Sequence, residues 1–455
     1  MVFSSLTFLV LFLPLFLLAY FSVPERHIKV RNFVLLIFSL FFYAAGEPVW
    51  VVLILFSSSM DYILGLFIEK FVGKWQAKLL LVISLCCSLG LLVIFKYTEF
   101  FFGLVGMSVT FAPMLPIGIS FYTFQTMSYS IDVYRGKIKA QRNPVTFLMY
   151  VSMFPQLVAG PIIRYVDVED MLTNRKTDLR KISAGISRFA MGLGKKVIFA
   201  NHAGAVAAEL LGSPYTSTLA VWLGALMFMF QIYFDFSAYS DMAIGLGKII
   251  GFEFLENFNY PYISKTVTDF WRRWHISLGM FFRNYLYIPL GGNRKRAVFN
   301  IMFVWLMTGL WHGASLNFVI WGMYFGIALL IEKYLLRNIL EKLPTFISHV
   351  YLLFIVLFGW VLFYFTDLSQ MATASARFFG FGGQFTDYRA IELLLANIWI
   401  LPVFAIFSTR APIKFFAYVK GRWPIAEPVF NFAVICLSFV LLIGQTFTPF
   451  IYFRF

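Results

Sequence analysis

The chain has 455 residues, 60% of them hydrophobic and only 13% charged, with a mean hydropathy of +0.79; soluble globular domains carry about twice that share of charge. The net charge of +15 raises the question of nucleic acid, but the positive residues fall in short loops between apolar runs, the pattern of loops retained in the cytoplasm. A membrane β-barrel needs alternating segments of ~10 residues, whereas runs such as Leu79–Phe95 are long and do not alternate, which leaves an all-α polytopic membrane protein.

An apolar run of ~20 residues spans the ~30 Å hydrocarbon layer. In chain order the expected spans begin with Leu6–Phe21, whose first charge is the following Glu25. Lacking a basic leading region, that run reads as a retained first helix rather than a cleaved signal. Phe33–Ala45, Val49–Phe67 and Leu79–Phe95 come next, then Leu115–Val133. The basic loops Arg26–Arg31 and Lys70–Lys78 are placed inside and the N-terminus outside. Phe147–Val158 is too short to cross and is broken by Pro155 and Gly160-Pro161, so it is expected to dip into the membrane and return, with its backbone shielded by protein or lining a cavity.

Later spans are expected at Val197–Leu211, Ser217–Phe234, Ser315–Leu335, Val350–Phe365, Ile391–Phe407 and Val429–Phe447, with Lys333–Lys342 and Arg410–Arg422 as basic loops. The total is roughly 10–12 transmembrane helices plus re-entrant and interfacial ones. No repeat, linker or soluble domain interrupts them, so 1–455 is taken as one domain. Cys86, Cys87 and Cys436 lie in apolar runs, and His27 and His349 in expected loops; no metal-ligand spacing is present.

The stretch Phe258–Gly313 departs from this plain membrane pattern. Trp274-His275 and Trp311-His312 stand 37 positions apart with a dense basic segment between them. Read as one helix, Phe270–Arg283 gathers Trp271, Trp274, His275, Leu278, Phe281 and Phe282 on one face, with Arg272, Arg273 and Arg283 off it, as on a helix lying at the membrane surface. Asn300–His312 rises only ~20 Å. Gly313 is suited to close that helix and Ser315 to cap the next, leaving His312 at a break inside the hydrocarbon. Ionisable side chains there are costly and mark function. A neutral imidazole accepts a proton at one nitrogen and donates at the other, so His312 suits a general base. Upstream, Asp241 reads as a cap for a helix Met242–Ile250, and Asp235 as a carboxylate in need of a nearby Arg, His or Tyr; both are expected beside the chemistry rather than in it.

FNYPYISKTVTDFWRRWHISLGMFFRNYLYIPLGGNR followed by TGLWHGASLNFVIWGMYFG resembles the membrane-bound O-acyltransferase (MBOAT) family. LFLPLFLLAYF, MLPIGISFYTFQTMSYSIDVYRG and YFDFSAYSDMAIGLG are similar to its bacterial branch, which holds the alginate O-acetylation and D-alanyl lipoteichoic acid membrane subunits. The resemblance implies helices around a central tunnel, His312 as principal catalytic histidine and His275 as its second. It implies acetyl-CoA as donor, or an acyl carrier protein in the D-alanylating branch, and no bound cofactor. The ending Pro449–Phe455 is similar to a C-terminal acyl-accepting motif, which makes Tyr452 a candidate acceptor; an interfacial anchor is the other reading.

The expected activity is O-acyl transfer to a cell-envelope polysaccharide from a bacterial cytoplasmic membrane, completed by a secreted or anchored SGNH-type partner. Arg272, Arg273, Trp274, Trp311 and Asn300 are the candidate donor-binding residues, with Arg294, Lys295 and Arg296 available to phosphates. His275 would orient or polarise the thioester carbonyl. Alginate, peptidoglycan, cellulose and teichoic acid all stay open as acceptors. A transporter or flippase is the rival reading, argued against by the lack of an internal repeat.

Overall fold

The computed structural model describes residues 1–107, 115–157, 160–213, 217–444 and 450. Among them every regular element is helical. Among the described residues seven helices are long and apolar enough to cross a membrane: Glu25–Ala44, Val51–Lys70, Trp75–Leu104, Thr218–Ile249, Leu316–Leu340, Thr345–Tyr364 and Ala426–Gly444. Tyr388–Asn397 and Ile400–Phe407, bent by 61°, make an eighth if they form one span. The architecture is that of an all-α, multi-pass membrane protein.

Several expected spans are built from shorter pieces. Thr7–Phe21 and Ala297–His312 are apolar but short. The expected Leu115–Val133 appears as Ile119–Tyr134, a helix rich in Ser, Thr and Tyr and buried on nearly every side. Arg410–Arg422 is no loop, because Ala411–Arg422 is helical. Lys333–Lys342 is largely helical too: Leu316–Ile331 runs on through the π-helical segment Glu332–Leu336 to Leu340. His349 lies within the helix Thr345–Tyr364, its Nδ1 2.9 Å from the Ser264 carbonyl. The short segment after Asn143 is broken. Asn143 caps Pro144–Ser152 by accepting from the Val145 and Thr146 amides, and the chain breaks at Met153 before Phe154–Leu157. Residues 151–157 are all buried, so this irregular backbone is shielded by protein.

The chain divides into two compact units. The first comprises Met1–Leu193 and Tyr239–Glu256, with the described residues 442–444 and 450. Its aromatic richness has a packing role: Phe8, Phe12 and Phe16 recur four residues apart, and their rings meet Phe154 at 5.0–6.3 Å. Ring pairs at such separations add to the area they bury. Fully buried Asp61 ties three helices together, accepting hydrogen bonds from Ser84 at 2.6 Å, Ser88 at 3.1 Å and Ser130 at 3.4 Å. Arg175 donates to Tyr20 and Asn32 and stacks 4.6 Å from the Phe252 ring centroid. Phe450 packs on Tyr239 at 4.7 Å.

The second unit comprises Gly194–Ala238 and Asn257–Leu441. Its central hairpin pairs Ala297–His312 with Leu316–Ile331. A methyl group on Gly309 would fall 2.2 Å from the Phe318 carbonyl oxygen, and one on Gly322 2.4 Å from the Trp305 carbonyl. Only glycine lets these backbones approach so closely, as in tight helix pairs within membranes. Lys196 and Asp235, both buried, form an ion pair at 2.7 Å within this unit.

Candidate active site

Each histidine owes its position to a chain break, and the two breaks differ in origin. Ala297–His312 has 16 residues and rises about 24 Å at ~1.5 Å per residue, short of the ~30 Å hydrocarbon layer. It ends at Gly313, which is extended (φ −175°, ψ 156°) rather than left-handed. The glycine is needed for room: a Cβ there would lie 2.2 Å from the Phe318 ring. Ser315 is the N-cap residue of the next helix, as expected, though its side chain makes no capping hydrogen bond. His312 is thereby held at the helix end, only 4% exposed. Trp311, Trp321 and Phe363 surround its ring at 5.0, 5.0 and 5.3 Å.

The expected single helix Phe270–Arg283 does not form. Val267–Arg273 stops at Trp274, His275 takes a left-handed conformation (φ 45°, ψ 56°), and a second helix runs Ile276–Phe282. The cause lies upstream. Residues 257–259 pair with this turn, the Asn259 amide donating to the Arg273 carbonyl and the Ile276 amide to the Asn257 carbonyl. Those groups are thus withdrawn from helical bonding. A left-handed conformation is uncommon for a residue with a side chain and points to a constraint imposed by the surroundings. The Asn257 side-chain oxygen supplies it, standing 3.1 Å from His275 Nδ1 and accepting from the Ser277 amide at 3.2 Å and its hydroxyl at 2.9 Å.

Both histidines line one cavity of about 940 Å³. Its lining includes the apolar Leu278, Phe282, Val304 and Trp305 along with the two buried imidazoles. Its exposed lining carries five cations, Lys265, Arg272, Arg283, Lys333 and Arg337, and the carboxylate Glu341, while the Glu332 carboxylate is buried. The Trp311 ring contacts His275 at 5.6 Å as well as His312, and Phe236 meets His275 edge-on at 4.7 Å. Burial pushes the His275 imidazole down to about 3, so it is neutral at pH 7.

The other sequence candidates divide. Arg272 and Trp274 line the cavity with the histidines. Arg273 does not; it pairs with Asp269 and reaches the Asn259 carbonyl. Asn300 is buried and donates to the carbonyls of Leu290, Gly292 and Lys295, holding the loop before its own helix. Arg294, Lys295 and Arg296 are absent from the lining. Asp235 is ion-paired with Lys196, and its neighbour Phe236 is the ring against His275. Asp241 caps nothing, because Thr218–Ile249 is one continuous helix. It belongs to the first unit and binds Arg188, which also holds Glu256. Tyr452 lies outside the described residues. Sequence reasoning missed Asn257, Lys265, Lys333 and Arg337. The signal for the last two was helix continuity past Ile331.

The family model for MBOAT, the membrane-bound O-acyltransferase family, matches residues 7–375. The chain belongs to the membrane-bound O-acyltransferase family. It is therefore an O-acyltransferase, which displaces the transporter reading. Among its relatives, the probable alginate O-acetylase AlgI of Pseudomonas putida is 38% identical across the full length of both chains. The peptidoglycan O-acetyltransferase of Helicobacter pylori is 36% identical over 73% of this chain and 70% of its own. The teichoic acid D-alanyltransferase of Bacillus subtilis is 30% identical over 46% of this chain and 56% of its own. The cavity thus joins two buried imidazoles with a lining rich in cations.

Proposed function

We propose that this acyltransferase takes an acetyl group from acetyl-CoA on the cytosolic side and moves it across the bacterial cytoplasmic membrane. The destination is O-acetylation of an extracytoplasmic cell-envelope polysaccharide, alginate or peptidoglycan being the models. The observation that carries the reading is the shared cavity, with His275 and His312 in its wall and five cations in its exposed lining. CoA carries phosphates that such a lining attracts. The relatives named for O-acetylation align over most of this chain, whereas the D-alanyl relative aligns over less than half. D-alanyl transfer from an acyl carrier protein is the second reading.

In the reaction His312 acts as general base. It takes the proton of an accepting hydroxyl as the new C–O bond forms and the thioester C–S bond breaks. The imidazolium then returns that proton to the departing thiolate, leaving free thiol. Tyr452 is the proposed relay hydroxyl; its phenol, with a pKa of ~10, needs such a base near neutral pH. Tyr452→Phe is expected to stop transfer to polymer if the relay operates. The N-terminus is proposed to be extracytoplasmic, and an SGNH-type partner to complete transfer to the polysaccharide.

The test is reconstitution of the enzyme with its SGNH-type partner, acetyl-CoA and candidate polysaccharides. Acetyl esters should appear on polymer only with both proteins present. Turnover of a D-alanyl carrier-protein thioester with no use of acetyl-CoA would overturn the acetyl assignment.

A further inference from the structure

The Asn257 side-chain atom that faces His275 also receives the backbone N–H of Ser277 at 3.2 Å and the Ser277 hydroxyl at 2.9 Å. A backbone N–H is only ever a donor, so the atom it meets is the amide oxygen and not the amide nitrogen. That settles the amide's orientation from the hydrogen bonding alone. His275 Nδ1 stands 3.1 Å from the same oxygen. An amide oxygen only accepts, so Nδ1 carries the ring proton. In a neutral imidazole the other nitrogen, Nε2, then holds a lone pair.

From this geometry we infer that Asn257 is a positioning residue that locks His275 in the Nδ1–H tautomer, so that the ring meets its substrate as a hydrogen-bond acceptor through Nε2. The inference rests on the O-acyltransfer reading of this site and changes one role within it. A bare Nε2 cannot polarise the thioester carbonyl by donating to it. Toward the bound substrate it acts only as an acceptor, while His312 takes the one proton of the attacking hydroxyl, so the two histidines are not interchangeable.

Three features of the fold support the lock. Asn257 is fully buried, so its oxygen does not exchange these donors for bulk water. Its own carbonyl accepts from the Ile276 amide, binding the residue to the turn through main chain and side chain alike. His275 is held left-handed, a conformation that persists only where surroundings impose it.

The experiment is nitrogen-15 NMR of histidine-labelled enzyme in detergent, with the His275 signals identified by their loss in His275→Gln, alongside kinetics of two Asn257 variants. Wild-type enzyme should show a protonated Nδ1 and a bare Nε2 at His275. Asn257→Ala should shift the population toward the Nε2–H tautomer and lower kcat about 10- to 100-fold, the usual cost of losing a group that orients a reactive ligand. Asn257→Asp keeps an acceptor for all three donors and should retain most of kcat. It should also move the acid limb of the pH–rate profile upward, since a carboxylate favours imidazolium. A protonated Nε2 in wild type, or unchanged kcat in a folded Asn257→Ala enzyme, would overturn the inference. Absence of acyl transfer by wild-type enzyme with the bare Nε2 still observed would count against the functional reading and leave the tautomer assignment standing.

Discussion

The carboxylate of Glu332 caps the helix Val267–Arg273, accepting the Val267 amide at 2.5 Å and the Thr268 amide and hydroxyl each at 2.9 Å. A carboxylate at a helix N-terminus satisfies amides that have no intrahelical partner and complements the helix dipole. This helix carries Trp271 and Arg272 into the cavity wall, and Glu332 is itself buried there. Glu332→Ala removes the acceptor and leaves those amides buried. Stability is expected to fall by about 1.5–3 kcal/mol, the range for hydrogen bonds to charged groups. Thermal unfolding of the purified protein in detergent reads the loss, and thioester affinity should weaken with it.

The five cations of the cavity lining are exposed. For the acetyl-CoA proposed as donor, their attraction is therefore expected to act on binding and on salt dependence more than on the chemical step. Lys333→Glu or Arg337→Glu should raise KM for acetyl-CoA roughly 5-fold each while leaving kcat near wild type, as expected when uniform binding energy is lost. The increase should shrink in high salt. A fall in kcat with unchanged KM would place these residues in the chemistry instead.

Protonation of His275 is opposed by burial, which pushes it down to about 3 from an unfolded value of ~6.5. Below pH 6.5 the unfolded chain binds a proton that the folded protein refuses, so stability falls as pH falls from 6.5 toward 3. At pH 5 the loss amounts to about 2 kcal/mol. Melting temperatures at pH 7 and pH 5 test this. His275→Asn should show the shallower dependence, while an equal dependence in both proteins would assign the acid sensitivity to other groups.

How much of this was legible in the sequence depended on how local the cause was. The helical class follows from composition, and His312 at the end of a short helix from counting residues to Gly313. The break at His275 was hidden because the apolar period runs unbroken through Phe270–Arg283; what breaks it is Asn257, 18 positions upstream, whose bonds replace helical ones. Asp241 read as a cap because an acidic residue just before an apolar run is a helix-start signal. Arg188 pairs with it from 53 residues away, and the helix passes straight through. Lys333 and Arg337 read as loop charges because the charge density rises there, yet a π-helical turn carries the helix onward and sets both beside the cavity.

The measurement closest to the central claim is single-turnover acyl transfer by His312→Ala at saturating acetyl-CoA, beside wild type and with thioester binding measured separately. The account predicts intact folding, unchanged thioester affinity and a transfer rate lower by about 10²–10⁴-fold, the contribution of a positioned general base. A folded His312→Ala enzyme that transfers acetyl groups at the wild-type rate would contradict it.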